Sequence, residues 1–176
     1  MTDDAQAPAP AGAPIPAGAP APSGPPILLC YDGSDGAKHA IEVAHAITGD
    51  RPATVLHLWE PPVALLNSDA FGSMPIWTPE QISEVDAVVR ERAGRLLADG
   101  VRTAREVGFD AQGRLEASSG GHWRTILEIA DGLEAQLVVL GSRGLSVTKS
   151  AILGSVSNAV VHHAERPVLV VPAAVS

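Results

Sequence analysis

The sequence predicts an α/β fold, a five-stranded parallel sheet with helices on both faces. Three observations predict it. Short apolar runs bounded by turn residues alternate with segments of helical period, in the order βαβαβαβαβ. The runs are nearly continuously apolar, as strands covered on both faces are. The helical crossovers between them require parallel strands with right-handed connections.

The elements follow in chain order. Ile27 to Tyr31 is a buried strand that stops at Asp32-Gly33-Ser34-Asp35-Gly36. Ser34 or Asp35 caps the first helix, whose apolar positions are Ala37, Ile41, Ala44 and Ile47. Gly49-Asp50-Arg51-Pro52 ends that helix, and Thr54 to Trp59 forms the second strand. Glu60 to Pro79 is an irregular, proline-rich stretch, long enough for a functional role. A long helix spans Glu80 to Val107 with Ile82, Val85, Val89, Leu96 and Val107 near one stripe, and Gly100 marks a candidate break. Gly113 to Ala117 is a weaker third strand, followed by a turn at Ser118 to Gly121. His122 to Ala135 is a helix with Ile126, Ile129 and Leu133 inward. Gln136 to Leu140 is the clearest strand. A last helix begins near Gly154-Ser155 and carries Val156, Ala159, Val160 and His163, and Pro167 to Val171 is the final strand.

Composition divides the chain in two. Residues 1–26 contain 8 Ala, 8 Pro and 3 Gly, too little apolar surface to offset ordering, so they read as a disordered tail before a single domain at 27–176. The tail has no Lys or Arg, which makes it a poor signal peptide, and no segment has the length and apolarity of a membrane span. A formal charge of −8 argues against nucleic acid and anionic membrane as partners. A single cysteine, Cys30, excludes an internal disulfide and fits a reducing, cytoplasmic setting. It reads as a small buried hydrophobe in mid-strand.

Ligands of open parallel sheets sit beyond the carboxyl ends of the strands, where strand order reverses. Two loops have suitable composition: Asp32-Gly33-Ser34, and Gly141 to Ser155. In the second, Gly141 and Gly144 permit positive φ and close backbone approach, so amides can converge on an anion. Gly154 and Ser155 open a helix, where unpaired amides, the helix dipole and a hydroxyl favour phosphate. Arg143 and Lys149 add positive charge. Taken singly, these glycines are ordinary turn residues and Ser155 is an N-cap. There is no P-loop, no Gly-x-Gly-x-x-Gly after strand one and no Gly-x-Ser-x-Gly elbow. His162 and His163 point apart on their helix, so the histidines do not form a metal site.

The whole arrangement, Gly141-x2-Gly144-x9-Gly154-Ser155 after a strong strand and before a helix and a Pro-Val-Leu-Val-Val strand, resembles the universal stress protein family in its ATP-binding branch. The resemblance covers about residues 27–172. It implies a flavodoxin-like, adenine nucleotide alpha-hydrolase-like sheet of order 3-2-1-4-5. It also implies ATP, with Mg²⁺ bridging the phosphates, as the bound cofactor. Asp32 takes the place of the aspartate that meets adenine or ribose, and Leu58, beside His57, supplies the main chain at the adenine edge. Leu140, Gly141, Arg143 and Gly144 begin the phosphate loop, and Gly154, Ser155, Val156 and Ser157 close it. A homodimer through Val168 to Val171 is implied as well. The family's Gly-x-Pro after strand three is absent; Gly120-Gly121-His122-Trp123 stands there. The expected role is a cytoplasmic, regulatory ATP-binding protein of the stress response. Slow ATP hydrolysis, with Arg143, Lys149 and His57 as candidate groups, is one alternative. The other is a dimeric interaction module that binds cyclic AMP or no nucleotide.

Overall fold

Adjacent residues of the first strand, Leu28 and Leu29, are both fully buried, yet they belong to different cores. Side chains alternate across a strand, so this can happen only in a sheet covered on both faces. The computed structural model describes residues 24–61, 78–118, 121–142 and 153–173. Their elements are β1 (Ile27–Cys30), α1 (Asp35–Thr48), β2 (Pro52–Trp59), α2 (Pro79–Val107), β3 (Asp110–Ala117), α3 (His122–Gly132), β4 (Leu137–Gly141), α4 (Ser155–His163) and β5 (Val168–Val171).

The strands form one parallel sheet in the order β3-β2-β1-β4-β5. The chain steps outward from β1 to β3, then returns to the far side of β1 to place β4. Strand order therefore reverses between β1 and β4, and their carboxyl ends border the crevice of the switch point. One core joins Ile27, Leu29 and Val55 to Ala37, Ile41 and Ala44 of α1 and Ala104 of α2. The other joins Leu28, Leu56 and Val138 to Ile126 and Ile129 of α3 and Val160 of α4.

Local boundaries differ from the sequence reading in instructive ways. Ser34 is the α1 N-cap, and its side chain accepts from the Ala37 amide. Ile47, expected inward, is 64% exposed. β2 starts at Pro52, which the sequence assigns to the preceding turn. Cys30 is the last residue of β1 rather than a mid-strand one, and it is partly rather than fully buried.

α2 runs without interruption through Gly100, because that glycine packs on the Tyr31 ring. A β-carbon there would lie 2.6 Å from Tyr31 Cδ1. The inward stripe of α2 is Ala93, Gly100 and Ala104 with the partly buried Leu97 and Val101, whereas Val107 alone of the expected stripe joins that core. Thr78 and Gln81 form a capping box at its start. β3 begins at Asp110, three residues before the sequence reading, and Phe109 before it is buried. α3 ends at Gly132, because the chain turns through Leu133 and Glu134, which has a positive φ of 51°. The tail through Ser23 lies outside the described residues. Pro26 is already tied in, its carbonyl accepting from the Gln136 amide at 3.0 Å. Among the described residues no helix is long and apolar enough to cross a membrane.

Candidate functional site

The two loops marked by sequence meet at the switch point. Gly141, the last residue of β4, lies against the start of α1: a β-carbon on it would stand 3.0 Å from the Gly36 carbonyl carbon and 3.3 Å from the Ala37 nitrogen. This glycine therefore serves close approach, and it is not among the positive-φ glycines that the sequence reading allowed for. The positive φ belongs to Gly33, at +85°, in the turn after β1.

That turn is built by its own polar side chains. Asp32 Oδ1 accepts from the Ser34 amide at 2.9 Å, and Ser34 Oγ accepts from the Ala37 amide at 3.1 Å. Aspartate and serine do this readily because their short side chains reach the backbone a few residues on. The Asp32 carboxylate is partly buried at the carboxyl end of β1, with Gly33 pressed on Leu96 of α2.

Ser142 joins the opposite wall. Its amide donates to the Val171 carbonyl at 2.7 Å, and its carbonyl accepts from the Gly154 amide at 2.7 Å and the Ser157 hydroxyl at 3.2 Å. Ser157 Oγ also reaches the Gly154 carbonyl at 3.0 Å. The buried Ser157 hydroxyl thus closes the loop rather than facing a ligand. Gly154, not Ser155, is the N-cap of α4, and it brings no capping side chain. The first intrahelical bond runs from the Asn158 amide to the Gly154 carbonyl, which leaves the amides of Ser155, Val156 and Ser157 directed out of the helix end. Ser155 itself is exposed.

The other expected residues divide by role. Leu58, Leu140 and Val156 pack their side chains into the second core, so a polar contact from them is a main-chain one. Arg143, Gly144 and Lys149 lie outside the described residues. His57 is buried, and its Nδ1 donates to the Tyr31 carbonyl at 2.7 Å. A carbonyl only accepts, so Nδ1 carries the proton, the imidazole braces β1, and Nε2 is left as the acceptor nitrogen. Trp123 stacks on His163 at a centroid distance of 4.3 Å, holding α3 to α4.

Sequence reasoning missed Tyr31 and its partner Asp99. The Tyr31 hydroxyl donates to Asp99 Oδ2, while Lys38 Nζ lies 3.7 Å from the same oxygen and Arg102 pairs with Oδ1. The Tyr31 hydrogen bond, followed by these cations, holds the Asp99 carboxyl below its usual range. Burial, then the Asp99 carboxylate, raises the Tyr31 phenol. Desolvation, with a smaller contribution from Asp32, pushes the Cys30 thiol up to about 12.

The universal stress protein family model matches residues 25–172. A universal stress protein of Thermus aquaticus is 36% identical over 147 residues, which cover 82% of this chain and 96% of that one. Among solved structures, a universal stress protein of Archaeoglobus fulgidus in complex with dAMP has a TM-score of 0.53 and 21% identity, covering 82% of this chain and 95% of its own. A universal stress protein in complex with cAMP has a TM-score of 0.59 and 22% identity, covering 88% and 100%. A family protein of Arabidopsis thaliana with AMP bound has a TM-score of 0.55 and 18% identity, covering 84% and 91%. At these identities the structural likeness establishes the fold.

Proposed function

The chain belongs to the universal stress protein family, and on that premise we propose that it is a cytoplasmic regulatory protein that binds ATP at the switch point between β1 and β4. The observation that carries the reading is the contact of Gly141 with Gly36. It joins the Asp32 turn to the base of the glycine loop, beside a helix end whose amides point outward. The complete Gly141-x2-Gly144-x9-Gly154-Ser155 spacing supports it, as do the solved relatives in complex with dAMP, cAMP and AMP.

In this reading the main chain of Gly141 to Gly144 and the amides of Ser155 to Ser157 hold the phosphates, with the Ser155 hydroxyl and Arg143 beside them. Asp32 and the main chain of Leu58 hold the nucleoside. Mg²⁺ would enter with the nucleotide and offset its phosphate charge; among the described residues no three metal-ligating side chains gather to hold it directly. Hydrolysis is slow at most in this reading: of the three candidate groups only His57 lies among the described residues, and it is buried beside the Tyr31 carbonyl. Two copies associate through β5, an edge strand whose Val168, Leu169 and Val170 stay partly exposed. Cyclic AMP in the same crevice is the second reading, favoured by the relative in complex with cAMP.

Calorimetric titration of nucleotide-free protein with Mg·ATP, with cyclic AMP beside it, tests the proposal. Gly154→Val is the companion variant: at φ −69° and ψ 160° a side chain costs no backbone strain, so the change tests space at the helix end. Saturable ATP binding that weakens in Gly154→Val is the expected result. No binding of either nucleotide, or undiminished ATP binding in the folded variant, overturns the assignment.

A further inference from the structure

The turn that carries Asp32 is gripped by one face of α2. Leu96, Asp99 and Gly100 are spaced i, i+3 and i+4, so they share a helix face. Each touches the end of β1 or its turn. Leu96 meets Gly33, at 2.8 Å from where its β-carbon would be, and Gly100 lies under the Tyr31 ring. Asp99 accepts from the Tyr31 hydroxyl. Tyr31 is fixed along its length: its amide donates to Leu56 at 2.8 Å, its carbonyl accepts from His57 at 2.7 Å, and its ring is buried. The next residue is Asp32. Its Oδ1 accepts from the Ser34 amide, and among the described residues its second oxygen has no partner.

We propose that Asp99 is a positioning residue, which acts through the Tyr31 hydroxyl to hold the second Asp32 oxygen where it accepts a ribose hydroxyl of the bound nucleotide. This rests on the nucleotide reading given above and deepens it. The Asp99 carboxylate suits the task because Lys38 of α1 and Arg102 of α2 also hold it, so its oxygen is fixed by groups on both helices of that face. A bond from a hydroxyl to a carboxylate is also among the stronger, more directional ones. Any shift of α2 along its axis moves Asp99, Gly100 and Leu96 together, and with them the turn. The fit of the ribose is thereby linked to the position of α2.

The test measures discrimination, which a merely structural role leaves alone. Mg·ATP, 2′-deoxyATP and 3′-deoxyATP are titrated into wild type, Tyr31→Phe, Asp32→Ala and the double variant, with thermal midpoints recorded for each. Wild type is expected to favour ATP over at least one deoxy analogue by about tenfold, the worth of one good hydrogen bond to a charged group. Tyr31→Phe should reduce that preference to about twofold, and should add nothing in the Asp32→Ala background. Asp99→Leu should behave like Tyr31→Phe, while Asp99→Asn, which keeps an acceptor for the phenol, should retain most of the preference. A wild-type preference that survives intact in both Tyr31→Phe and Asp99→Leu overturns the proposal, as does a full additional loss in the double variant. ATP binding without any preference overturns it too but leaves the nucleotide reading standing, whereas absence of nucleotide binding removes both.

Discussion

Gly141 and Gly36 meet backbone to backbone, with 3.0 Å separating the Gly36 carbonyl carbon from the place a Gly141 β-carbon would occupy. Neither neighbour can yield as a flexible side chain would. Gly141→Ala is therefore expected to lower unfolding stability by about 1–3 kcal/mol, the usual range for overpacking. Urea denaturation checks this, and an unchanged midpoint would mean that α1 shifts freely.

The single proton of the buried Ser157 hydroxyl is shared between the carbonyls of Ser142 and Gly154. Removing it leaves the Ser142 carbonyl with its Gly154 partner. Ser157→Ala should cost about 1 kcal/mol in the same denaturation experiment. A loss of nucleotide affinity larger than this stability change would assign the hydroxyl to the ligand instead.

Cys30 should be nearly inert in the native protein. A thiol raised from 9.0 to about 12 holds roughly a thousandfold less thiolate at neutral pH, and the thiolate is the nucleophile. Alkylation by iodoacetamide at pH 8 should accelerate by at least a hundredfold on unfolding in urea. Equal rates in the two states would contradict the desolvated environment.

The Tyr31–Asp99 pair gives stability a dependence on pH at both extremes. The Asp99 carboxyl is depressed from 3.8 in the folded chain, so its contribution is present above the unfolded value and lost as pH falls through the folded one. Tyr31 is raised from 10.0, so its contribution is present below that value and lost as pH rises past it. Tyr31→Phe should accordingly show a flatter stability profile than wild type below about pH 4 and above about pH 10. Parallel profiles across both ranges would show that the pair is not formed in solution.

β5 offers a test of assembly. Val170 stays partly exposed on an edge strand. On the proposed pairing through β5, wild type should run as a dimer in light scattering and Val170→Lys as a monomer, since an edge charge opposes strand-to-strand pairing. A dimer that persists places the contact on another surface.

The strands that lie inside the sheet were legible because both of their faces are covered. β1 and β4 read as unbroken apolar runs, and they are buried almost throughout. β3 was seen only in part because it is an edge strand: Gln112 and Gly113 are exposed, and only Ala111 of its first residues is buried. Gly100 suggested a break because propensity registers the missing side chain and not the Tyr31 ring that fills its place. In the site, Asp32 and Gly141 were legible from turn chemistry and spacing. Tyr31 with Asp99 was not, since 68 residues separate them and their meeting depends on how α2 docks against β1.

Ser142 carries one last consequence. It is bonded to the last strand on one side and to Gly154 and Ser157 on the other, so the two mouths of the segment between them are stitched together by the fold itself. Ser142 thereby couples the end of β5 to the start of α4, so a displacement of the edge strand is passed on to the amides that open the helix.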